Sequence, residues 1–271
     1  MPELPEVETT RRGVAPHLEH RRVEAVIVRH RGLRWPVPRG LAKTLQGLRL
    51  NAVERRAKYL LFRFDAGTLL LHLGMSGHLR VIPAATPAEK HDHLDFVFEG
   101  DRCLRFNDPR RFGSVHWTSR DPFEHPLLKN LGPEPLHDDF DGDYLFDKSR
   151  KRKLAVKLFI MNANIVVGVG NIYASEALFL AGIRPGRAAG RVTRIEYARL
   201  AEAIRTVLQK AIAKGGTTLR DFTQPDGNTG YFSIHLNVYD RAGEPCRVCG
   251  GDIRHKVMGQ RSTYWCSSCQ V

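Results

Sequence analysis

The stretch HLDFVFEGDRCLRF, residues 93–106, decides how the first half of this chain folds. Apolar and polar residues alternate on both sides of its centre, and a period of two is typical of half-buried β-strands. Between the two sides stands Glu99-Gly100-Asp101, which is a signal for a hairpin turn. The stretch therefore predicts two antiparallel strands joined by a short turn.

The same alternation continues around this hairpin. Strand-like runs occur at residues 21–30, 58–64 and 68–82, and many short strands at close spacing predict an antiparallel sandwich or barrel. Residues 1–18 come first and predict a helix that ends near Pro16. We expect this first domain to end near residue 130.

A second domain follows the proline-rich segment LGPEPL, residues 131–136. Helical periodicity predicts helices over 143–160, over 171–181 and over 194–216, the last of which stops at two glycines. The turn GVGN, residues 168–171, opens the middle helix. Its free backbone N–H groups could hold a phosphate, or the turn could simply join two helices. The chain is thus predicted to be an α+β protein.

The charge balance of the chain indicates its partner. Lysine and arginine number 42 against 29 acidic residues, which gives a formal net charge of +13. Such an excess, gathered in clusters, predicts a polyanion and nucleic acid first. No apolar run approaches the roughly 20 residues that span a membrane, and the N-terminus lacks the apolar core of a signal peptide. We therefore expect no membrane partner and a cytoplasmic location.

Four of the five cysteines form two C-x2-C pairs near the C-terminus. They are Cys246, Cys249, Cys266 and Cys269. This spacing is typical of a zinc ribbon, in which four thiolates hold one structural Zn²⁺. Two disulfides are the alternative, which a reducing cytosol disfavours. The fifth cysteine, Cys103, lies in an alternating run and is predicted to be a buried structural thiol.

The chain opens with MPELPEVE, which has two interpretations. If Met1 is removed, Pro2 carries a free secondary amine, and such an amine attacks carbonyl-like carbons to form a Schiff base. Pro5 followed by Glu6 is also what the first turn of a helix favours. The octet alone favours the helix start and leaves the nucleophile open.

Basic residues cluster in three further segments. Lys58 stands at the start of a strand, where a lysine is usually a solvated edge charge. In FNDPRRFG, residues 106–113, Arg110 and Phe112 follow a turn. They either fill a gap between stacked bases or are a solvated charge and a buried ring. RKRK, residues 150–153, either binds a phosphate backbone or is solvated.

Taken in order, the motifs of this chain resemble the formamidopyrimidine-DNA glycosylase family over nearly the whole length. They are MPELPEVETTRRG, RRAKYLL, HLGMSG, EKHDH, NDPRRFG, LGPEPL, VVGVGNIYASEALF, GGTTLRDF and PCRVCG with GQRSTYWCSSCQ. The resemblance implies an N-terminal helix with an antiparallel β-sandwich in residues 1–130. It implies a helix-two-turns-helix domain in 131–234 and a zinc-bound β-hairpin in 235–271.

The resemblance also implies a base-excision repair enzyme that removes oxidised purines from duplex DNA and then cleaves the abasic strand. Met1 is removed, Pro2 is the nucleophile and Glu3 is the proton donor beside it. Lys58 and Arg261 match the groups that serve the elimination steps. Two more carboxylates match active-site positions of less certain role: Glu6 and Glu176.

The way in which the enzyme holds DNA follows from the same resemblance. The residues that fill the space left by the extruded base are Met75, Arg110 and Phe112. Arg110 also matches one of the family's other DNA contacts, together with His91 and Arg152, and Asn171 with the GVGN turn resembles its phosphate clamp. Residues 217–232 match the segment that closes over the extruded base. The partner implied is double-stranded DNA with a damaged base or an abasic site, bound by a monomer associated with the nucleoid.

Two rival functions stay open. Endonuclease VIII, a sister enzyme, prefers oxidised pyrimidines and shares the proline, glutamate, lysine and zinc, although ELPEVE and NDPRRFG favour the purine enzyme. A non-catalytic zinc protein that binds DNA would use the same basic charge and the same cysteine module.

Overall fold

The structure is a computed structural model that describes residues 2–215 and 236–271. Met1 and the segment 217–232, which the resemblance matches to a closing loop, lie outside these ranges. The described residues divide into two compact units. The first contains residues 2–129 with 214–215, and the second contains 130–213 with 236–271.

Two four-stranded antiparallel sheets form most of the first unit. The strands are β1 Val23–Val28, β2 Leu50–Arg56, β3 Tyr59–Phe64, β4 Gly67–His72, β5 His78–Ile82, β6 Asp92–Phe98, β7 Arg102–Asn107 and β8 Ser114–Thr118. The strand orders are β1-β6-β7-β5 and β2-β3-β4-β8. Side chains from both sheets, such as Phe62 and Phe96, belong to one buried apolar cluster, so the unit is the predicted sandwich.

The hairpin predicted from residues 93–106 is confirmed. Strands β6 and β7 pair with Phe98 opposite Arg102. In the turn between them, Gly100 and Asp101 have φ angles of 79° and 56°. Glycine adopts this left-handed region at little cost in conformational free energy. A glycine between two alternating runs is therefore a good predictor of such a turn.

Helix α1, Leu4–Leu18, precedes the sheets and ends two residues beyond Pro16. Its buried apolar side chains include Leu4, Val7, Val14 and Leu18, which are at most 1% exposed. These positions are three, seven and four residues apart and lie on one helical face. Val7, Val14 and Leu18 of this face belong to the sandwich core. A second helix, α2 at Leu41–Leu45, is too short to have been predicted from periodicity.

A buried ionic cluster crosses the first sheet. Arg105 on β7 is 1% exposed, and its Nε and Nη2 each donate to Asp95 at 2.8 Å. Arg29 donates to the same carboxylate at 2.6 Å. Cys103 is completely buried nearby, as predicted, and burial together with the Asp95 charge raises the pKa of its thiol to about 12.

The second unit is helical and ends in a β-hairpin. Its helices are α3 Gly142–Ser149, α4 Val156–Ile160, α5 Asn171–Ala181 and α6 Arg194–Ala213, and its strands are β9 Ile253–Met258 and β10 Arg261–Cys266. Helix α5 has the predicted bounds, and Gly182 at φ 72° ends it. No helix in the described part of the chain is long and apolar enough to cross a membrane.

The single helix predicted over 143–160 is wrong, because the chain forms α3 and α4 with a break between them. Lys151 within the break has a φ of 62°. The Arg150 side chain donates to the carbonyls of Gly190 and Val192 at 3.0 and 2.9 Å, and its guanidinium lies 3.7 Å from the Phe146 ring centroid. The chain between α3 and α4 contains no proline or glycine that would break a helix. The tertiary contacts of Arg150 therefore outweigh the local helix propensity.

Candidate active site and nucleic-acid interface

Pro2 and Glu3 are buried although they stand at the chain terminus. Glu3 is the N-cap residue of α1, and its carboxylate accepts the backbone N–H of Glu6. In return, Glu6 Oε2 accepts the backbone N–H of Glu3 at 2.8 Å. This reciprocal capping box fixes the first residues where a terminus would otherwise fray.

Lys58 lies in the tight turn between β2 and β3. The preceding Ala57 has a φ of 55°, and Arg55 Nη1 donates to the Ala57 carbonyl at 2.9 Å. The Nε of Arg55 also donates to Glu8 on α1 at 3.2 Å. Arg55 therefore ties the turn that carries Lys58 to helix α1, which Pro2 and Glu3 directly precede.

His72 on β4 is the neutral neighbour of Lys58. Burial first, and then the charges of Lys58 and Arg34, lower the pKa of His72 to about 4. Its Nδ1 accepts the backbone N–H of Gly74 at 3.0 Å, so the proton of the neutral ring is on Nε2. An uncharged imidazole at this place adds no second positive charge beside Lys58.

Two loops of the sandwich, HLGMSG and NDPRRFG, pack against each other. A Cβ built on Gly74 would lie 2.4 Å from the carbonyl carbon of Phe112, so only glycine allows this approach. Ser76 Oγ donates to Asp108 Oδ1 and Gly113 N donates to Asp108 Oδ2, each at 2.8 Å. Asp108 is completely buried and joins the two loops.

The residues that the resemblance matches to filling the space of the extruded base therefore lie on two loops that contact each other. Met75 is half-buried on the first loop, whereas Arg110 and Phe112 are exposed on the second. The Arg110 guanidinium lies 5.0 Å from the Phe112 ring centroid, and the ring is 44% exposed. The alternative of a buried ring at Phe112 is wrong. His91 borders the same loop, because its carbonyl accepts the Asp108 N–H at 3.1 Å.

In the second unit, Asn171 at the start of α5 is joined to the C-terminal hairpin. Its Nδ2 donates to the carbonyl of Ser262 at 3.0 Å, and Lys157 Nζ donates to the same carbonyl at 2.9 Å. Lys157 is completely buried and also donates to Thr263 Oγ1 at 2.8 Å. Arg261 precedes Ser262 and is exposed, so these contacts position the backbone beside it.

Glu176 on α5 is a backbone anchor. Its carboxylate accepts the N–H groups of Asn237, Val238 and Tyr239 at 2.8 to 3.0 Å, and also the Asn237 side-chain amide. Four hydrogen bonds leave this buried carboxylate engaged with residues 237–239. Glu176 therefore holds residues 237–239 in place, shortly before the four clustered cysteines in the chain.

The basic run at 150–153 contains residues of two kinds. Arg150 is engaged by protein carbonyls, as described above. Arg152 is exposed, its Nε donates to the Lys148 carbonyl at 2.7 Å, and its guanidinium lies 5.8 Å from the Phe159 ring centroid. Arg152 thus presents charge at the surface of the second unit.

The four clustered cysteines fit a zinc ion. All four Sγ atoms lie within 4.8 Å of one another, and Cys249 Sγ is 3.4 Å from Cys266 Sγ. Tetrahedral Zn–S bonds of roughly 2.3 Å place the sulfurs about 3.8 Å apart, so the cluster needs little adjustment. Val248 N also lies 3.5 Å from Cys246 Sγ, a donor that favours the thiolate. The cysteines are therefore the ligands of one structural zinc ion.

The zinc ligands flank the hairpin of β9 and β10. Met258 pairs with Arg261, and the two turn residues Gly259 and Gln260 have φ angles of 52° and 60°. Two positive φ angles are typical of a two-residue type I′ turn. Arg261 therefore leaves the turn directly, at the end of the hairpin away from Cys266.

Sequence reasoning missed the residues that hold these groups in place. They are Glu8, Arg55, His72, Asp108 and Lys157. The Asn-Asp-Pro turn was a local signal for Asp108, but its partner Ser76 lies 32 residues away. Lys157 carried no signal, because a lysine on a helix is ordinarily solvated.

A β-sandwich with Pro2 buried ahead of its first helix, in a chain that continues into a helical unit and a four-thiolate hairpin, is the arrangement of the zinc-containing DNA glycosylases. Three family models match the chain. They are the formamidopyrimidine-DNA glycosylase N-terminal domain at residues 1–115, its H2TH domain at 131–223, and a zinc finger found in FPG and IleRS at 243–271.

Relatives match along the whole chain. Formamidopyrimidine-DNA glycosylases from Thioalkalivibrio sulfidiphilus and Alkalilimnicola ehrlichii are 62% and 60% identical, over 100% of both chains in each case. The chain belongs to the formamidopyrimidine-DNA glycosylase family.

Solved structures agree with this assignment. The MutM (Fpg) protein of Thermus thermophilus has a TM-score of 0.89 at 39% identity, covering 99% of this chain and 98% of that one. The Lactococcus lactis Fpg (MutM) in complex with Fapy-dG containing DNA has a TM-score of 0.90 at 34% identity, covering 99% of each chain. The Lactococcus lactis Fpg bound to DNA with an abasic site has a TM-score of 0.91 at 35% identity, again covering 99% of each.

Proposed function

We propose that this DNA glycosylase removes oxidised purines from duplex DNA through an N-terminal proline Schiff base and then cleaves the abasic strand. Its substrates are duplexes with formamidopyrimidines, 8-oxoguanine or an abasic site. The protein acts as a monomer in the cytoplasm, associated with the nucleoid. Its functional segments are the sandwich in 1–130, the helix-two-turns-helix segment in 131–234 and the zinc hairpin in 235–271.

The chemistry begins at Pro2. An α-amine titrates near roughly 7.7–8.0, so an appreciable fraction is neutral at physiological pH. The neutral amine bonds to the sugar carbon as the bond from that carbon to the base breaks, and Glu3 supplies a proton as the sugar ring opens. The resulting protonated imine acidifies the neighbouring carbon, which permits β-elimination and then δ-elimination.

Other residues serve the later steps and the binding of DNA. Lys58 and Arg261 assist the eliminations. Met75, Arg110 and Phe112 fill the space left by the extruded base, since extrusion costs roughly a few kcal/mol. His91, Arg152 and Asn171 contact DNA phosphates. The zinc ion orders the hairpin that carries Arg261 and activates no water, because four thiolates leave no open coordination position.

The observation that carries this proposal is the burial of Pro2 and Glu3 at a chain terminus. Reciprocal capping by Glu3 and Glu6 is typical of any helix start, but chain ends are usually frayed and exposed, whereas Pro2 and Glu3 are buried. Here α1 is in addition tied through Glu8 and Arg55 to the turn that carries Lys58. An amine, a carboxylate and a lysine are thus held by connected elements of one unit.

Blocking the amine tests the mechanism. A form that retains Met1, verified by intact mass, should lose both excision of 8-oxoguanine and borohydride trapping on DNA, because an amide nitrogen cannot form an imine. Binding to the lesion duplex should largely persist. The matched control is the same protein with Met1 removed. Full activity with Met1 in place would overturn the proposal.

The substrate class needs a separate comparison. Cleavage of duplexes with 8-oxoguanine opposite cytosine should be faster than cleavage of duplexes with thymine glycol. The opposite order would assign the chain the pyrimidine preference of endonuclease VIII while leaving the amine mechanism intact.

A further inference from the structure

His30 contacts the loop that carries the base-replacing residues. It follows β1 and is half-buried, and its Nε2 lies 2.8 Å from Nη1 of Arg111. A guanidinium can only donate hydrogen bonds, so the imidazole accepts at Nε2 and carries its proton on Nδ1. The ring of His30 therefore accepts a hydrogen bond from the side chain of Arg111.

Arg111 occupies an unfavourable backbone conformation. Its φ is 57°, in the left-handed region that a branched or long side chain rarely adopts. Such a residue persists only when its surroundings hold it in place. Its own N–H donates to the Asp108 carbonyl at 3.2 Å, which fixes one side of the residue. The hydrogen bond to His30 fixes the side chain.

His30 is itself anchored to the sheet. The backbone N–H groups of Arg29 and His30 both point to the carbonyl of His93 on β6, at 2.9 and 3.4 Å. The rings of His30 and His93 lie 5.3 Å apart. His93 Nε2 in turn lies 2.8 Å from the Asp108 carbonyl oxygen, which can only accept. The sheet thus holds the loop at both Asp108 and Arg111.

The conformation of Arg111 sets the direction of its two neighbours. Arg110 and Phe112 flank it, and both are exposed with the guanidinium 5.0 Å from the ring centroid. If the backbone of Arg111 relaxed to a right-handed or extended conformation, Arg110 and Phe112 would no longer project together. Loss of the His30 contact removes the restraint on the side chain of Arg111.

We propose that His30 is a positioning residue for base replacement: by holding Arg111, it presents Arg110 and Phe112 as one unit to the opened base stack. This inference rests on the proposed role of Arg110 and Phe112. His30 acts through Arg111 and touches none of the reacting atoms. It should therefore matter when a base must be extruded and matter little at a site that already lacks its base.

The test compares two substrates under single-turnover conditions. One is a duplex with 8-oxoguanine opposite cytosine, and the other is the same duplex with an abasic site. His30→Leu should slow cleavage of the lesion duplex about tenfold, the effect of losing one hydrogen bond to a charged group, and leave the abasic duplex within about twofold. His30→Gln keeps an acceptor and should restore most of the rate. His137→Leu, a histidine of the second unit, is the control.

A double-mutant cycle separates positioning from a general loss of stability. In an Arg111→Gly background, where glycine tolerates the same φ and the guanidinium is gone, His30→Leu should cause no further selective loss. Equal slowing of both substrates by His30→Leu, or an undiminished effect in the glycine background, would overturn the proposal. So would a rate for His30→Gln no better than that for His30→Leu.

Phe112→Ala distinguishes this proposal from the one on which it rests. A selective loss with Phe112→Ala and none with His30→Leu would overturn the role of His30 alone. The absence of a selective loss with Phe112→Ala would overturn the base-replacing role, and the role of His30 with it.

Discussion

Asp108 shows how one buried residue can control an exposed functional loop. Its two carboxylate oxygens accept from Ser76 and Gly113, which lie on the two loops that it joins. Its backbone carbonyl accepts from Arg111 and lies against the ring of His93. Because Ser76, Gly113 and Asp108 are all buried, the two donors to the carboxylate cannot turn to water instead.

Asp108→Ala should therefore destabilise the protein by about 3 kcal/mol, since two buried donors lose their acceptors at about 1–3 kcal/mol each. The matched control is Asp121→Ala. The exposed carboxylate of Asp121 accepts the Phe123 N–H at 2.9 Å, so its removal should cost about 1 kcal/mol or less. Urea unfolding of both variants measures the difference. Equal losses of unfolding free energy in the two variants would mean that the Asp108 carboxylate does not hold the two loops together.

The sequence does not reveal which residues contact a buried residue such as Asp108. The motif NDPRRFG identified the turn and its exposed arginine and phenylalanine. It could not identify Ser76 or His30 as the contacts of that turn, because hydrogen bonds across 32 or 81 residues leave no periodic signal. The sequence likewise did not reveal the partners of Glu176, whose carboxylate accepts three backbone N–H groups and one side-chain amide from residues 237–239.

Among the elements, those with strong local signals were predicted well. Helix α5 has a glycine before it and a glycine after it, and its bounds agree with the prediction. The β6–β7 hairpin also follows from its turn and its alternation. The break between α3 and α4 was missed, because Arg150 is drawn to carbonyls of a distant segment and no proline or glycine marks the place.

The zinc hairpin is the element most dependent on one interaction. Cys249→Ser should release the metal and unfold the hairpin, because structural zinc binding is coupled to folding. The Ser262 carbonyl would then lose its fixed position beside Lys157 and Asn171. We expect loss of zinc by elemental analysis and loss of DNA binding, with the near-ultraviolet signal of the sandwich retained.

Cys103→Ala is the control for the zinc hairpin, because it also removes one thiol but lies in β7. It should retain zinc and DNA binding. Unchanged binding by Cys249→Ser, or zinc-free native protein, would contradict the role assigned to the metal.

For the molecule as a whole, the net charge of +13 favours a polyanion, and each basic side chain that neutralises a DNA phosphate makes the affinity fall as salt rises. Arg152→Ala removes a charge proposed to neutralise one phosphate. The slope of log affinity against log salt should flatten by roughly 0.9, equally on damaged and undamaged duplexes, because a phosphate contact carries no base information. Titrations at several salt concentrations measure this slope.

Arg199→Ala is the matched control for the phosphate contact. It removes the same charge from an exposed position on α6, beside Leu180 and Thr206, where no DNA contact is proposed. Its slope should equal that of the unmodified protein. Equal slopes for the two variants would show that Arg152 is only solvated surface.

The state of Cys103 has a practical consequence for fluorescence experiments. Its thiol is completely buried and, with its pKa raised to about 12, carries almost no thiolate at neutral pH, so maleimide dyes should not react with it. The other four cysteines of the chain are engaged when zinc is bound. A single cysteine introduced at an exposed position would then be the one reactive handle. The zinc-loaded protein can thus be labelled at one chosen site without first removing its native cysteines.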